Sequence, residues 1–430
     1  MNLRLLILGT ILGFILLSRA LYIYHNTSKY INSQQVEITT TLLSEPTVFS
    51  GRQQIVAFDT SGNKITVRVP QFPRFHYGDT LHISGTIRET SQVKGVRPAR
   101  SVANSGNAVA QLLGFEQPGL TIYWPKIEAD KNKTNFALAL TSFVRQKTTS
   151  IFASVLPPRS ASLMLGIVFG IKQGISKDFF TVLQNAGVLH IIAASGMNVS
   201  MVGELLVTFF ALFLRRQYAL LVSILGICFY ALLAGLEPSI VRAAIMGIMA
   251  FGAQIAGRQY LASYGLFIAG YAMVFWDPTL VFDIGFQLSF VATLGLIYLR
   301  PMFGKTKFVL GDDIATTIAA QIATLPILLA NFGSYSIISI IVNALVLWTV
   351  PILTVLGSIA ATIGLLWDLP AKLFLYLSLP LLWYFEFIVT FFGNLVKSVT
   401  VSVFPWQFSI AYYLFLISYI AWQLRLRKPR

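Results

Sequence analysis

Apolar and polar positions follow two regimes along this chain. Residues 24–133 alternate in short runs, the two-residue period of strands with one buried face. Gln35–Leu43, Gln54–Asp59, Lys64–Val69 and Thr80–Arg88 are the predicted strands. Turn signals separate them at Ser44-Glu45-Pro46, Thr60-Ser61-Gly62-Asn63 and Tyr77-Gly78-Asp79. Even spacing and a glycine-interrupted strand, TLHISGTI, predict a small all-β, OB-like barrel. Ser91–Pro125 carries scattered Gly and Pro and is expected to be irregular.

Helical periods take over from residue 134. Phe136–Leu156 shows a polar face of Thr141, Arg145, Gln146 and Thr149, which suits a helix lying in a membrane interface. Ala161–Ile171 and Lys177–Asn185 are shorter segments split by Gly174, expected to pack at the membrane surface or re-enter it. From His190 onward, apolar runs approach the ~20 residues that a bilayer crossing needs. The predicted spans are His190–Leu214, Tyr218–Ala234, Ser239–Ala256, Tyr260–Phe275, Phe282–Leu299, Ile314–Asn331, Phe374–Leu395 and Phe408–Leu424. Tyr335–Leu366 reads as one long span, or a span with a half-helix, broken at Pro351. Leu3–Ile23 is apolar apart from Arg4 and Arg19 near its ends and reads as a retained anchor.

The expected fold class is therefore a polytopic α-helical membrane protein of about ten spans plus a small extracellular all-β OB-like barrel. Its segments are an anchor over residues 1–23, the β domain over 24–133, interfacial or re-entrant helices over 134–187, and a polytopic domain over 188–430.

Composition agrees with this reading. The 430 residues are 55% hydrophobic and 11% charged, against about 25% charged in soluble domains. The net charge of +15 fits basic cytoplasmic loops, and it also fits attraction of a polyanion. With the N-terminus inside, Arg215-Arg216, Arg258 and Arg300–Lys307 all fall in the cytoplasm, as does the C-terminal RLRKPR. The β domain then lies outside the cell membrane. Parity requires Tyr335–Leu366 to contribute one net crossing. Cys228 is the single cysteine, so neither an internal disulfide nor a cysteine-rich metal site can form.

Three polar patches interrupt the apolar sequence. The first holds His190, Ser195, Asn198 and Ser200, with Glu204 beyond. Helical spacing puts Ser195 and Asn198 on one face but not His190. The second is Glu237-Pro238-Ser239-Ile240-Val241-Arg242, where a helix starting at Pro238 sets Arg242 a turn below Glu237. The third is Asp283-Ile284-Gly285-Phe286-Gln287-Leu288-Ser289, with Asp283 and Gln287 on one face. A weaker set comprises Gln321, Thr324, Pro326, Asn331 and Asn343. Such residues can be hydrogen-bonding glue between helices, and Arg242 could belong to a buried structural ion pair. Three clusters together point to a polar cavity.

Several chemistries remain open on these residues. Ser195 and His190, oriented by Asp283 or Glu237, would suit an intramembrane serine hydrolase, although no GxSxG elbow is present. A small-molecule or lipid transporter would use the same cavity. His25, His76, His82 and His190 are too dispersed for a metal motif, and neither a cofactor nor a GxxxxGK[ST] phosphate loop is indicated. In the β domain, Arg52, Lys64, Arg68 and Arg74, with Phe72, Phe75 and Tyr77, could bind single-stranded nucleic acid as OB folds do. They could equally be an ordinary basic surface.

Four ordered stretches carry a resemblance: GVLHIIAASGMNVSMV, GLEPSIVRAAIM, DPTLVFDIGFQLSFVATLGLIYL and AAQIATLPILLANFGSYSIISIIVNALV. They resemble the competence domain of ComEC-type DNA-internalisation proteins, and residues 27–125 resemble that family's N-terminal OB-like domain. The resemblance weakens after about Pro351. It implies a multi-pass cell-membrane channel, not an enzyme, that passes one DNA strand into the cytoplasm during transformation. Its motif positions map to His190, Ser195 and Gly196, to Pro238, Arg242 and Ala243, and to Gly285, Phe286, Gln287 and Ser289. The implied partners are single-stranded DNA, an extracellular DNA-receptor protein, a cytoplasmic ATP-driven translocase and a separate nuclease, with a homodimer left open. Two departures stand out. Asn198 occupies the place of a usual second histidine, so a titratable role there does not transfer. No HxHxDH motif of the metallo-β-lactamase-like domain found in many members occurs within these residues, which is the expectation for a short form.

On this reading Arg242 contacts phosphate, while Ser195, Asn198, Gln287 and Ser289 form hydrogen-bonding walls. His190, Glu237 and Asp283 complete the candidate path.

Overall fold

A computed structural model describes residues 34–42, 46–49, 52–58, 64–70, 72–73, 75, 77–89, 120–123, 125–130, 136–172, 174–192, 195–304, 311–332, 334–336, 338–395, 399–400 and 406–426, together with 12, 13, 15, 16, 18 and 19. The described residues within 12–19 are helical; most of the expected anchor over 1–23 lies outside the described residues. The chain divides into two compact units. The first comprises Met1–Ala103, Asn107–Gln146 and Tyr271–Val281, and the second comprises Asn104–Gly106, Lys147–Gly270 and Phe282–Arg430.

The first unit is built on a sheet. Its strands are β1 (Gln35–Thr41), β2 (Thr47–Phe49), β3 (Arg52–Phe58), β4 (Lys64–Pro70), β5 (Thr80–Glu89), β6 (Leu120–Tyr123) and β7 (Lys126–Asp130). The order is β1-β5-β6-β4-β3-β2, with β7 also paired to β5. The β4–β6 pair is parallel, and the others are antiparallel. Alternation decides the faces: Ile55, Ala57, Ile65, Val67, Leu81, Ile83 and Ile122 are buried in one cluster. Each buried Ile, Val or Leu side chain contributes about 1.5–3 kcal/mol by leaving water.

Gly85 explains the interruption in β5. It lies between Ser84, which pairs with Lys126 of β7, and Ile87, which pairs with Ile122 of β6. A Cβ there would come 2.6 Å from Ile122 Cγ2, so only glycine lets the strand change partners. The four expected strands are present with shifted ends. Strand β6 corrects the expectation of irregular chain up to Pro125, and β7 follows directly after it. They are too short to show a period, and Pro125 separates them.

Helix α1 (Phe136–Val155) follows. Within the first unit, its Arg145 guanidinium lies over the buried Tyr77 ring, 4.7 Å from the centroid.

The second unit is helical: α2 (Pro158–Phe169), α3 (Lys177–Ala186), α4 (Leu189–Ile192), α5 (Gly196–Phe210), α6 (Arg216–Leu233), α7 (Pro238–Ile255), α8 (Ala262–Trp276, entering the first unit at Tyr271), α9 (Ile284–Tyr298), α10 (Gly311–Phe332), α11 (Ser339–Val346), α12 (Thr349–Gly364), α13 (Asp368–Leu395) and α14 (Trp406–Leu426). A two-stranded ribbon joins β8 (Ser334–Tyr335) to β9 (Val399–Thr400). Among the described residues, five segments are long and apolar enough to cross a membrane: Arg216–Leu233, Pro238–Ile255, Ile284–Phe303, Ile314–Asn331 and Asp368–Leu395; the bent pair α11 and α12 makes a sixth when taken as one span.

Helix α2 is the most enclosed element described. Every residue from Ser160 to Phe169 is buried. Its C-terminus closes at Gly170 (φ 70°), whose N–H reaches Gly166 O while Ile171 N–H reaches Leu165 O. That leaves the carbonyls of Ile167 and Val168 without helical donors. Asn198 Nδ2 donates to Ile167 O at 2.6 Å, and Tyr230 Oη donates to Val168 O at 2.6 Å. At the other end, Ser160 Oγ donates to Glu386 Oε1 at 2.6 Å. The carboxylate thereby sits by the positive end of the helix.

The span expected over His190–Leu214 is instead two helices, α4 ending at Ile192 and α5 starting at Gly196. Ser195 takes an extended backbone (ψ 168°) as N-cap of α5, and Gly196 favours the break. Between α10 and α13 the chain forms α11 and α12, bent by 49°. The break falls at Leu347-Trp348, while Pro351 sits in the first turn of α12, where its missing N–H costs nothing. The β8–β9 pairing brings the C-terminal ends of α10 and α13 together, so α11 and α12 make one traverse between them.

Pro326 interrupts the ladder of α10 and frees the Ile322 carbonyl. Tyr412 Oη of α14 donates to that carbonyl at 2.8 Å, and Tyr413 Oη donates to Ala323 O at 3.0 Å.

Candidate functional site

The first turn of α7 organises the three polar patches. Helix α6 ends in two left-handed residues, Gly235 (φ 86°) and Leu236 (φ 53°), with Leu236 N–H on Ala231 O. Glu237 then takes the N-cap position and Pro238 starts α7. A left-handed leucine costs about 1–2 kcal/mol, so packing elsewhere holds this turn. Arg242 therefore points inward one turn into the helix.

Arg242 is only 6% exposed. Its Nε donates to Ser289 Oγ of α9 at 2.9 Å, and its Nη1 meets Met246 Sδ at 3.3 Å. A Cβ on Gly196 would stand 3.1 Å from Arg242 Nη2 and 3.3 Å from Ala243 Cβ. The N-terminus of α5, the first turns of α7 and the second turn of α9 thus meet around one guanidinium. No carboxylate among the described residues pairs with Arg242. A buried guanidinium is costly unless its donors and charge are answered. Here a hydroxyl and a thioether answer two donors, and Nη2 meets no acceptor among the described residues.

Helix α7 is half-buried along most of its length. Only Ile240, Arg242 and Ala244 are buried of its residues. Helix α9 buries only Phe286 and Gly295. Phe286 stacks on Phe290 at 5.8 Å, and Phe290 meets Phe267 edge-on at 6.0 Å.

The other predicted residues separate into distinct roles. Ser195 Oγ lies 3.5 Å from Asn198 Oδ1, a long contact at the head of α5. Asn198 is 1% exposed and braces α2 through Ile167 O, so its amide is committed to the scaffold. His190 is exposed on α4 and makes no hydrogen bond to Ser195. Asp283 is the N-cap of α9 and accepts from Phe286 N–H at 2.8 Å. Gly285 makes room for that carboxylate, since a Cβ would be 3.1 Å from Asp283 Oδ1. Gln287 is half-buried one turn below. Glu237 faces away from Arg242 and pairs with Lys172 Nζ at 3.0 Å, an exposed pair worth about 0–1 kcal/mol. The Ser–His arrangement is not assembled: the two residues are unlinked, and both candidate orienting carboxylates are otherwise engaged.

In the first unit, Arg52 and Arg68 lie on the outward phase of β3 and β4, opposite Pro70 and Gln54. Lys64 opens β4, in register with Phe58. Arg74 lies outside the described residues. Buried Gln53 ties down the chain after β4, donating to Pro70 O at 3.0 Å and Pro73 O at 2.6 Å and accepting from Phe75 N–H.

Sequence patterning missed Tyr230, Ser160 and Glu386. A carboxylate midway along an apolar run was the available signal for Glu386. Tyr230 and Ser160 act through backbone or a distant partner and give none.

The Competence protein family matches residues 167–426. ComE operon protein 3 of Bacillus subtilis (strain 168) is 31% identical over 213 residues, covering 49% of this chain and 27% of that protein. An uncharacterized protein of Aquifex aeolicus (strain VF5) is 26% identical over 183 residues, covering 42% of each chain. The alignments span less than half the length of these curated relatives. No solved structure matches the chain.

Proposed function

Because the chain belongs to the Competence protein family, we propose that it is a cell-membrane channel that conducts single-stranded DNA inward during natural transformation. Family membership supports a role in competence and DNA uptake. The geometry supports the finer reading. A strand crossing a bilayer carries one charge per phosphate and needs a wet path with donors along it. Arg242 supplies a buried cation with no carboxylate partner among the described residues, where the heads of α5, α7 and α9 meet. That guanidinium is the observation that carries the proposal.

Arg242 contacts a passing phosphate. Ser289 orients it through Nε, and Gly196 lets the head of α5 pack closely against it. Gln287 and Ser195 provide neutral hydrogen-bonding walls. Asn198 and Asp283 act as braces, not walls.

The β unit reads as an OB-like barrel: the parallel pairing of β4 with β6, and β5 placed between β1 and β6, are that fold's connections. It gathers DNA outside through Arg52, Lys64, Arg68 and Arg74. Both termini lie in the cytoplasm, where an ATP-driven translocase pulls the strand. A DNA-receptor protein outside delivers the duplex, and a separate nuclease removes its second strand. No bond is made or broken by this chain in the proposal.

The test uses a naturally competent host deleted for its own family member and complemented with this chain. DNA bound outside is scored separately from DNA in the cytoplasm. Arg242→Ala at normal membrane levels should leave the first intact and abolish the second. Wild-type internalisation by that variant would remove Arg242 from the mechanism.

A further inference from the structure

A second cationic feature lies at the opposite end of α7 from Arg242. A cleft of about 430 Å³ is lined by Arg216, Gln217 and Leu220 at the start of α6 and by Gln254, Gly257 and Arg258 at the end of α7. Arg216 Nη2 donates to Gln254 Oε1 at 3.3 Å, which holds one wall in place. No carboxylate among the described residues pairs with Arg216 or Arg258. The N-cap of α6, Arg215, makes no side-chain cap, so the first-turn N–H groups also face this end.

What lies along the helix from the cleft selects the ligand. Gln217, Leu221 and Leu225 follow one another on α6 at four-residue intervals. Leu221 is 48% exposed and Leu225 is 69% exposed. An apolar stripe therefore starts directly below the charged rim and runs toward the middle of an expected span. A free phosphate or a DNA strand would use the rim and leave the stripe unused. A diacyl phospholipid uses both, with its phosphodiester between the guanidiniums and a chain along Leu221 and Leu225.

We propose that the cleft between the start of α6 and the end of α7 binds the headgroup of an anionic phospholipid of the phosphatidylglycerol class through Arg216 and Arg258. This goes beyond DNA conduction and requires only that α6 and α7 sit in a bilayer. Basic loops favour the cytoplasmic side, where anionic headgroups attract them.

The test uses the full chain purified in neutral detergent. Thermal unfolding is followed on titration with phosphatidylglycerol, phosphatidylcholine, inorganic phosphate and a single-stranded oligonucleotide. Phosphatidylglycerol should raise Tm at concentrations where the other three do not. The double variant Arg216→Gln/Arg258→Gln should weaken that response on the order of tenfold, while its Tm without lipid stays that of the wild type. Equal stabilisation by phosphatidylcholine, or a double variant that responds like wild type, would overturn the proposal. So would a response to phosphate or oligonucleotide that the double variant loses equally, which would mark a general anion site. If the double variant does not fold, Arg258→Gln alone, on an exposed turn, serves the same comparison. DNA internalisation is not the readout, so this site can fail while the channel reading stands, and the reverse.

Discussion

Arg242 donates through Nε to the hydroxyl of Ser289, 47 residues further along the chain, at 2.9 Å. That bond fixes the guanidinium plane, with Nη1 on Met246 Sδ and Nη2 beside Gly196. Three sequence patches become one site through it.

Substitutions at the two partners should therefore differ in kind. Arg242→Lys keeps a charge but loses the fixed fork, and Ser289→Ala keeps the fork but releases its plane. Cytoplasmic DNA in the transformation assay should fall on the order of tenfold to a hundredfold for Arg242→Lys, the scale of a charged hydrogen bond. Ser289→Ala should lose only a few-fold. A Ser289→Ala variant as inactive as Arg242→Ala would mean that the serine touches the strand itself.

Gly196 tests the position of the guanidinium. A methyl group there meets the flexible end of Arg242 at 3.1 Å and Ala243 Cβ at 3.3 Å, contacts relieved by shifts of a few tenths of an ångström, so Gly196→Ala should fold and reach the membrane in normal amount. Arg242 must shift to accommodate it, and internalisation should drop several-fold while external DNA binding is unchanged. Unaltered internalisation would show that strand and guanidinium do not meet on this side.

Asn198 and Tyr230 should matter to stability. Each satisfies a buried carbonyl of α2, so Asn198→Ala and Tyr230→Phe should each cost about 1–3 kcal/mol. Thermal unfolding in detergent reads this. An Asn198→Ala protein with wild-type Tm and no internalisation would return Asn198 to the path.

Pro326 and Tyr412 form a compensating pair. Tyr412→Phe leaves Ile322 O without a donor and should cost about 0.6–2 kcal/mol. In a Pro326→Ala background the backbone N–H is restored, and the same substitution should cost less. A double-mutant cycle on unfolding measures the difference, and strict additivity would contradict the assignment.

On the β unit, Arg52→Ala and Arg68→Ala should each flatten the salt dependence of single-stranded DNA binding by the full chain. The change expected is about 0.7 in the log–log slope per phosphate contact removed. Slopes identical to wild type would make these arginines ordinary surface charge.

Much of this was legible before any coordinates. The four main strands declared themselves because one buried face imposes a period of two on seven or more residues. Strand β6 did not, because four residues before Pro125 cannot display a period. The polar patches were legible because hydrocarbon makes any polar residue conspicuous. Their meeting was not, since nothing local to Gly196 says that Arg242 lies over it. Asn198 shows the limit most plainly: its partner is the backbone carbonyl of Ile167, and a carbonyl leaves no mark on the sequence. Glu237 and Arg242 were correctly placed a turn apart, yet Glu237 turns outward to Lys172, and Arg242 takes a hydroxyl in place of a carboxylate.

Helix α2 also sets an order of events during synthesis. Its 12 residues span about 18 Å, short of the roughly 30 Å hydrocarbon core. Its C-terminal carbonyls await Asn198 and Tyr230, and its N-terminal turn is tied to Glu386. It cannot be left in lipid as a finished span when it emerges from the ribosome. Its partner Glu386 is made more than two hundred residues later, so the complete set of its contacts joins early helices to late ones and can form only when the late ones exist.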